Sequence, residues 1–309
     1  FPFTIKYDIF AGLDNKLRIY NAHNCETDLY DQLHPDQKSE PIHKLVKECE
    51  KEILRVSDLV LYCNEDDLSR FREIVPQSSF SAQYVPNGMQ PIIFNKSTDE
   101  PNLKDFRAVF MGSGHPPNVE ASNFIVQKLA PNLPEVNFDI IGSCLSSSNY
   151  PKNIHRHGVV SEFEKETLLN KANLALNPMS DGSGSNIKVL DYFAHGLPLI
   201  STSFGMRGIN AEAGRDYLKA ELEDFVEVIK NVKNSFEELK SFAINGRDLA
   251  YRDYTWDAIV ANLLPVINES YEFKTKEKNQ YVLALNDYDS FSSIGGGCVR
   301  TKGLYEAVK

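Results

Sequence analysis

Several kinds of residue are scarce in this chain, and each scarcity excludes something. Only five of its 309 residues are cysteines, Cys25, Cys49, Cys63, Cys144 and Cys298. They are widely spaced, with no C-x-x-C and no Cys/His cluster, so neither a disulfide framework nor a zinc site is indicated, and a reducing, cytoplasmic setting is expected. Positive charge is in the minority: 33 Lys and Arg against 43 Asp and Glu, a net charge of −10. That argues against a general nucleic-acid surface. No apolar run is long enough to span a bilayer, so no transmembrane segment is expected, and no secretory leader is read. The chain opens on Phe1-Pro2-Phe3 rather than Met, and a missing natural start is expected. What is present is ordinary globular composition, 42% hydrophobic, 25% charged and 11% aromatic, with length for about two domains.

Hydrophobic patterning alternates between strand and helix along the chain. Strands are expected at 17–22, 59–63 and 82–85, and helices at 42–57 and 65–74, the first from Leu45, Cys49, Ile53 and Val56 at helical spacing. Residues 27–33 begin a helix or loop. Pro86-Asn87-Gly88 is a turn signal, and 89–105 reads as a linker. A second alternation follows, with strands at 108–111, 138–141, 159–160, 174–177 and 197–201. Its helices are expected at 119–129, 162–171, 222–232, 236–251 and 256–271. Such alternation means parallel sheets with helices on both faces. Residues 272–279 are charged and linker-like; 281–286 reads as a strand, Gly295-Gly296-Gly297 as a loop and 301–308 as a helix.

The stretch 177–209 carries the chemistry. It reads as a strand end, a Gly-Ser-Gly turn at 182–184, a short helix, a stop at Gly196, a buried strand and a second glycine-bearing loop. Ser185 or Asn186 is expected to cap the helix and Gly196 to end it. Ile187, Leu190, Phe193 and Ala194 make an apolar stripe, with Lys188, Asp191 and His195 on a neighbouring polar face. Lys188 in a first helical turn opposes the helix dipole, whereas an anion bound there is favoured by the dipole, the free amides and the lysine together. Asp191, one turn on, can accept from sugar hydroxyls. His195 is expected to be a favourable cation near the helix C-terminus. The alternative at this point is an ordinary βαβ connection with a solvated Lys and Asp. His23-Asn24-Cys25-Glu26 follows the first strand, at the carboxyl end where α/β sheets bind ligands. Cys25 is expected to be a small filler and Trp256 a core residue.

Taken together, these motifs resemble those of the retaining glycosyltransferases of the GT-B fold, which include mannosyl-, glucosyl- and rhamnosyltransferases. The likeness rests on Gly182-Ser183-Gly184, Ile187-Lys188-Val189-Leu190-Asp191, Ala194-His195-Gly196-Leu197-Pro198 and Ser201-Thr202. Pro86-Asn87-Gly88, His23-Asn24-Cys25-Glu26 and Trp256 add to it in the order that the family shows them. It implies an α/β chain of two Rossmann-like domains with the N-terminal acceptor domain incomplete. Residues 1–88 would form the partial acceptor domain, 89–105 a linker, 106–255 the donor-binding domain and 256–271 a helix crossing back. Residues 272–309 resemble the start of an acceptor domain placed at the opposite end, which implies either a segment of a tandem enzyme or a permuted order; strand 281–286 is expected to pair into the acceptor-domain sheet of its own chain or of a neighbour, the second giving self-association through 281–308.

The resemblance also assigns roles. Lys188 with the amides of Ser185 and Asn186 would hold the donor phosphates, beside Gly112, Gly114, Gly182 and Gly184. Asp191 would bind the ribose. Gly142, Val159 and Val160 would contact the base, mostly through backbone. Gly205, Arg207 and Gly208 would line the sugar end, Asp181 would contact the donor sugar and His23 would face it. The expected catalytic set is therefore His23, Asp181 and Lys188. The expected activity is transfer of a hexose from a nucleotide-diphosphate sugar to a hydroxyl of a glycan or lipid-linked acceptor, with no metal and no cofactor. An epimerase or hydrolase on the same fold, or a non-catalytic nucleotide-sugar-binding module, are the alternatives. Three departures bear on this, one being that the opening strand and glycine-rich loop of the acceptor domain are expected to be missing from the start. The family's glutamate pair is replaced by Asp181 and Asp191, with nine residues between them. The Arg/Lys pair expected after the first donor-domain strand is replaced by Gly112-Ser113-Gly114-His115, which puts more of the phosphate charge on Lys188, with Arg207 a helper.

Overall fold

The structure, a computed structural model, describes residues 16–37, 40–92, 103–145, 149–182, 185–274 and 282–286. The chain divides into two compact units. One holds residues up to Gly88 and from Trp256 onward, together with 183–185; the other holds Met89–Gly182 and Asn186–Thr255.

The first unit opens with β1 (Leu17–Asn21), α1 (Glu26–Leu33), α2 (Pro41–Val56), β2 (Leu59–Tyr62), α3 (Glu65–Ile74) and β3 (Ser81–Tyr84). Local sequence sets these boundaries. Pro41 sits at the start of α2, where its missing N–H costs nothing. Asn64 caps α3, its side chain accepting from the Asp66 amide at 3.2 Å, and three acidic residues fill that first turn.

The second unit follows with β4 (Arg107–Met111), α4 (Pro116–Phe124), β5 (Asn137–Ile141), β6 (Ile154–Gly158), α5 (Glu162–Lys171), β7 (Leu174–Asn177), α6 (Lys188–Ala194), β8 (Leu199–Ser201), β9 (Leu218–Lys219), α7 (Phe225–Asn234) and α8 (Phe236–Asp253). A π turn (Ile125–Leu129) and a last helical turn (Ala130–Asn132) extend α4. A capping box between Ser161 and Glu164 starts α5. The chain then re-enters the first unit with α9 (Trp256–Lys274) and β10 (Val282–Asn286).

Both sheets are parallel. The first runs β10-β1-β2-β3 and the second β6-β5-β4-β7-β8-β9. In a parallel sheet covered on both faces, successive residues of one strand feed opposite cores. So Ala108 and Phe110 pack with Phe138, Ile140, Leu174 and Leu176 on one face. Val109 and Met111 pack with Ile141, Ala175 and Leu199 on the other. In the first unit Tyr20 and Val60 face one core, and Leu17, Ile19, Leu59 and Leu61 face the other. That second core is closed by α9 through Trp256, Ile259, Val260 and Leu263, one face at helical spacing. Gly88 lies so close to the Trp256 ring that an added Cβ would sit 2.6 Å from it. Trp256 is a core residue, as its position suggests.

The tail strand lands where the alternation requires. β10 pairs in parallel with β1 of its own chain, from Leu17 opposite Val282 to Asn21 opposite Asn286. Residues 287–309, including the expected glycine loop and final helix, lie outside the described residues. Elsewhere the structure corrects the sequence reading. The strand expected at 159–160 is instead β6, five residues earlier in its start, and Val159 is 83% exposed beyond its end. Polarity hides β6: its sequence is IHRHG, and it is an edge strand. Its His157 Nε2 meets buried Asp139 at 2.7 Å, and Arg107 Nη1 reaches the same carboxylate at 3.0 Å. The two-residue β9 was not legible at all.

Candidate donor-phosphate site

In a parallel sheet all carboxyl ends share one edge, and ligands bind where the strand order reverses direction. In the second unit β4 lies between β5 and β7, with the order running one way through β5 and β6 and the other through β7, β8 and β9. The switch point therefore falls between β4 and β7. The turn after β4 carries Gly112, Ser113, Gly114 and His115; the loop after β7 leads to Lys188.

The turn after β4 is packed tightly. Gly142, at the end of β5, has φ +97, and a Cβ there would drive into the Gly112 carbonyl oxygen. The Gly112 amide donates to the Ile141 carbonyl at 3.0 Å, and the Gly112 carbonyl accepts from Cys144 at 3.2 Å. A side chain at Gly112 would strike the Asn118 Cβ at 2.8 Å. These two glycines thus let two strand ends and the start of α4 close on one spot. Gly114 is exposed, with only ordinary contacts available to a Cβ.

Helix α6 is held on both sides. The Met111 amide, at the end of β4, donates to the Tyr192 hydroxyl oxygen at 2.8 Å. Phe193 packs against Gly246 of α8. Lys188, at the first position of α6, is thereby fixed at the switch point. Its Nζ donates to Asn118 Oδ1 at 2.6 Å, lies 3.7 Å from Met179 Sδ and sits 4.5 Å from the centre of the Phe110 ring. Among the described residues no carboxylate is within ion-pair distance of it. Burial with no counter-charge pulls its pKa down to about 7. A bound anion would supply the counter-charge that this amine lacks among the described residues.

Asp191 lies one turn further on. Its Oδ1 is 3.3 Å from Lys165 Nζ, which also meets Glu162 at 2.7 Å. The carboxylate remains partly exposed, with acceptor capacity left for hydroxyls.

Other expected residues fall differently. Ser185 and Asn186 do not cap α6: the helix begins at Lys188, the capping position is Ile187, and no side chain caps it. The Asn186 amide donates to the Arg207 carbonyl at 3.2 Å, and the amides of Val189 and Leu190 close the same turn onto Asn186 and Ile187. The Asn186 amide is thus spent inside the protein, which removes it from the expected phosphate cradle. Gly196 does end the helix, with φ +58. His195 is buried and its pKa is lowered by that burial, so it is a neutral packing residue whose Nδ1 meets the Asp191 carbonyl at 2.7 Å, not a cation. Asp181 is exposed and turned onto its neighbour, accepting from the Gly182 amide at 2.6 Å. Gly182 itself has φ +137; Gly184 lies outside the described residues. Arg207 stacks its guanidinium 4.9 Å from the Phe204 ring. Val160 packs on the core formed by β4, β7 and α6.

His23 belongs to the other unit, buried just beyond the carboxyl end of β1, with its carbonyl accepting from the Cys63 thiol. Next to it the start of α1 is already occupied. Glu50 of α2 accepts from the Glu26 amide at 2.6 Å, the Thr27 amide at 3.0 Å and the Thr27 hydroxyl. Cys25 is buried against Glu50, and burial with that charge pushes its thiol pKa up, so it is an inert filler. Burial, then Glu50, raises the Glu26 pKa to about 7.

Two parallel α/β units arranged in this way have the GT-B fold. Residues 120–265 match the family model described as glycosyl transferase-like. Anabaena HepE in complex with UDP and glucose superposes with TM-score 0.62 at 11% identity, over 81% of this chain and 71% of that one. WaaG, a glycosyltransferase involved in lipopolysaccharide biosynthesis, gives TM-score 0.56 at 14% identity, over 84% of this chain and 75% of that one. In sequence, an uncharacterised 44.6 kDa protein in the cps region of Klebsiella pneumoniae is 22% identical over 269 residues. The match takes in 79% of this chain and 66% of that relative, so the chain spans just under two thirds of its length. No described helix is long and apolar enough to cross a membrane.

Proposed function

We propose that this chain is a retaining glycosyltransferase that moves a hexose from a nucleotide-diphosphate sugar to a hydroxyl of a glycan or lipid-linked acceptor. The observation that carries the reading is the Lys188 amine, buried at the switch point with an amide oxygen, a thioether and a ring around it and, among the described residues, no carboxylate within ion-pair distance. As the glycosidic bond breaks, negative charge grows on the departing phosphate. A cation fixed in advance beside that oxygen stabilises the transition state more than the ground state, and this lowers the barrier. Lys188 takes the pyrophosphate, Asp191 takes the ribose hydroxyls, and the backbone around Gly142 and Val159 takes the base. Arg207 stands by the sugar end. In this reading the lysine supplies the charge that a metal supplies elsewhere, and no cofactor takes part. Acceptors from polysaccharide or cell-surface glycan assembly fit best, supported by the cps-region relative and by WaaG.

A second reading, a nucleotide-sugar-binding module without turnover, draws on Asp181, whose carboxylate is engaged with its own neighbouring amide. One experiment separates these. The chain is screened by thermal shift against UDP, GDP, dTDP and ADP sugars, and the sugar that stabilises it is then supplied isotopically labelled. Label transferred to an acceptor with the anomeric configuration kept supports the transferase. Epimerised or hydrolysed sugar, or binding without product, overturns it.

A further inference from the structure

We propose that Asn118 is the positioning residue of the donor site: its side-chain oxygen stations the Lys188 amine for the donor phosphates without neutralising it. The inference rests on the donor-site reading above and adds a residue that the sequence motifs do not mark. An ammonium has three N–H donors. Here one goes to Asn118 Oδ1 at 2.6 Å, and the thioether of Met179 at 3.7 Å is a weak acceptor. The Phe110 face, 4.5 Å away, attracts the charge without taking a hydrogen bond. Donor capacity is left over for an incoming oxygen.

Asn118 is itself held in place. Its Nδ2 donates to Ser113 Oγ at 3.2 Å, and its backbone N–H donates to the His115 carbonyl at 2.9 Å. The absence of a side chain at Gly112 leaves the space in which it lies. An aspartate there would hold the amine equally well, but it would cancel its charge and compete with the phosphates. An amide does the first without the second.

Among the described residues, the groups that touch the amine are otherwise uncharged. Phe110 of β4, Asn118 of α4 and Met179 of the loop after β7 do not titrate. Cys144, after β5, is the titratable group that acts on it, and burial raises that thiol's pKa so that it stays neutral. On its own helix Asp191 is engaged by Lys165.

The test compares wild type, Asn118→Ala and Asn118→Asp by calorimetric titration with UDP, GDP, dTDP and ADP between pH 6.5 and 9. The Lys188 amine is followed in parallel by NMR of its labelled Cε. With the nucleotide that wild type binds best, Asn118→Ala is expected to weaken binding about tenfold, the scale of one lost hydrogen bond to a charged group. Asn118→Asp should weaken it on the order of a hundredfold at pH 7, a larger effect because a buried charge pair competes directly. Wild-type affinity should fall as pH rises above 7, because the empty site loses its proton there and the occupied site does not. In Asn118→Asp that slope should vanish and the Cε titration should move to higher pH. Melting curves confirm the folded state, and Asn118→Ala serves if the aspartate variant fails to fold. Should wild type bind while both variants match its affinity and its pH profile, the positioning role is overturned and the donor site stands. Should wild type bind none of the four nucleotides, both fall.

Discussion

Each of the two units builds a parallel sheet, and the two treat charge at its carboxyl edge in opposite ways. In the first, the helix after β1 meets an anion that the protein supplies. Glu50 reaches from α2 to the amides of Glu26 and Thr27 and to the Thr27 hydroxyl. In the second, the helix after β7 begins with a buried lysine that has no carboxylate within ion-pair distance among the described residues. The first arrangement is internally satisfied and the second is not. Unmet charge in a folded protein costs free energy unless something completes it, and this difference is the ground on which the donor site is proposed for the second edge.

The sharpest way to break that comparison is to remove the unmet cation. Lys188→Ala is expected to lower the transfer rate by a hundredfold or more, the scale for deleting one pre-placed stabiliser of developing charge, with the fold unchanged by circular dichroism. A rate near wild type would mean that the phosphates lie elsewhere.

Removing the satisfied anion should do the reverse. Glu50→Ala leaves two amides and a buried hydroxyl without their acceptor, and should cost about 3 kcal/mol in chemical denaturation while leaving nucleotide affinity as it was. A smaller pH effect belongs to the same edge. The Glu26 pKa in the folded state, about 7, lies above its ordinary 4.5. Its contribution to stability is therefore fully present below pH 4.5 and is lost as pH rises through 7. Wild type should lose on the order of 1–2 kcal/mol between pH 5 and 8 that Glu26→Gln does not lose, after allowance for partial solvent screening; urea midpoints at the two pH values measure it. Smallest of all, Val159→Ser at the exposed end of β6 should shift stability by no more than ~0.5 kcal/mol. It should leave nucleotide affinity unchanged too, since the contact expected there is through backbone.

Much of this was legible in the sequence, for local reasons. The helices expected at 65–74 and 162–171 match to the residue, and the structure shows that Asn64 and Ser161 cap their starts. Strand 174–177 was readable from the apolar run Leu174-Ala175-Leu176, and all four of its residues prove buried. The tail strand showed itself by the same alternation and does pair with β1. β6 stayed hidden because His155, Arg156 and His157 give no apolar period; its stability comes from pairing with β5 and from the Asp139 cluster. At the site, Lys188 and Asp191 were marked by motif. Asn118 was not, because it stands 70 residues before Lys188 and only the strand order brings the two together. The mistaken cap and the mistaken charge of His195 share a cause. Both came from treating α6 as a surface helix, whereas Val189, Leu190, Tyr192, Phe193, Ala194 and His195 are all buried.

One measurement addresses the central claim directly: a crystal structure of the chain grown with the nucleotide sugar that stabilises it most. The account predicts the pyrophosphate against Lys188 Nζ, beside the Gly112–Asn118 turn, with the ribose hydroxyls on Asp191. Nucleotide bound at any other place, with the Lys188 amine still turned to Asn118 alone, would contradict it.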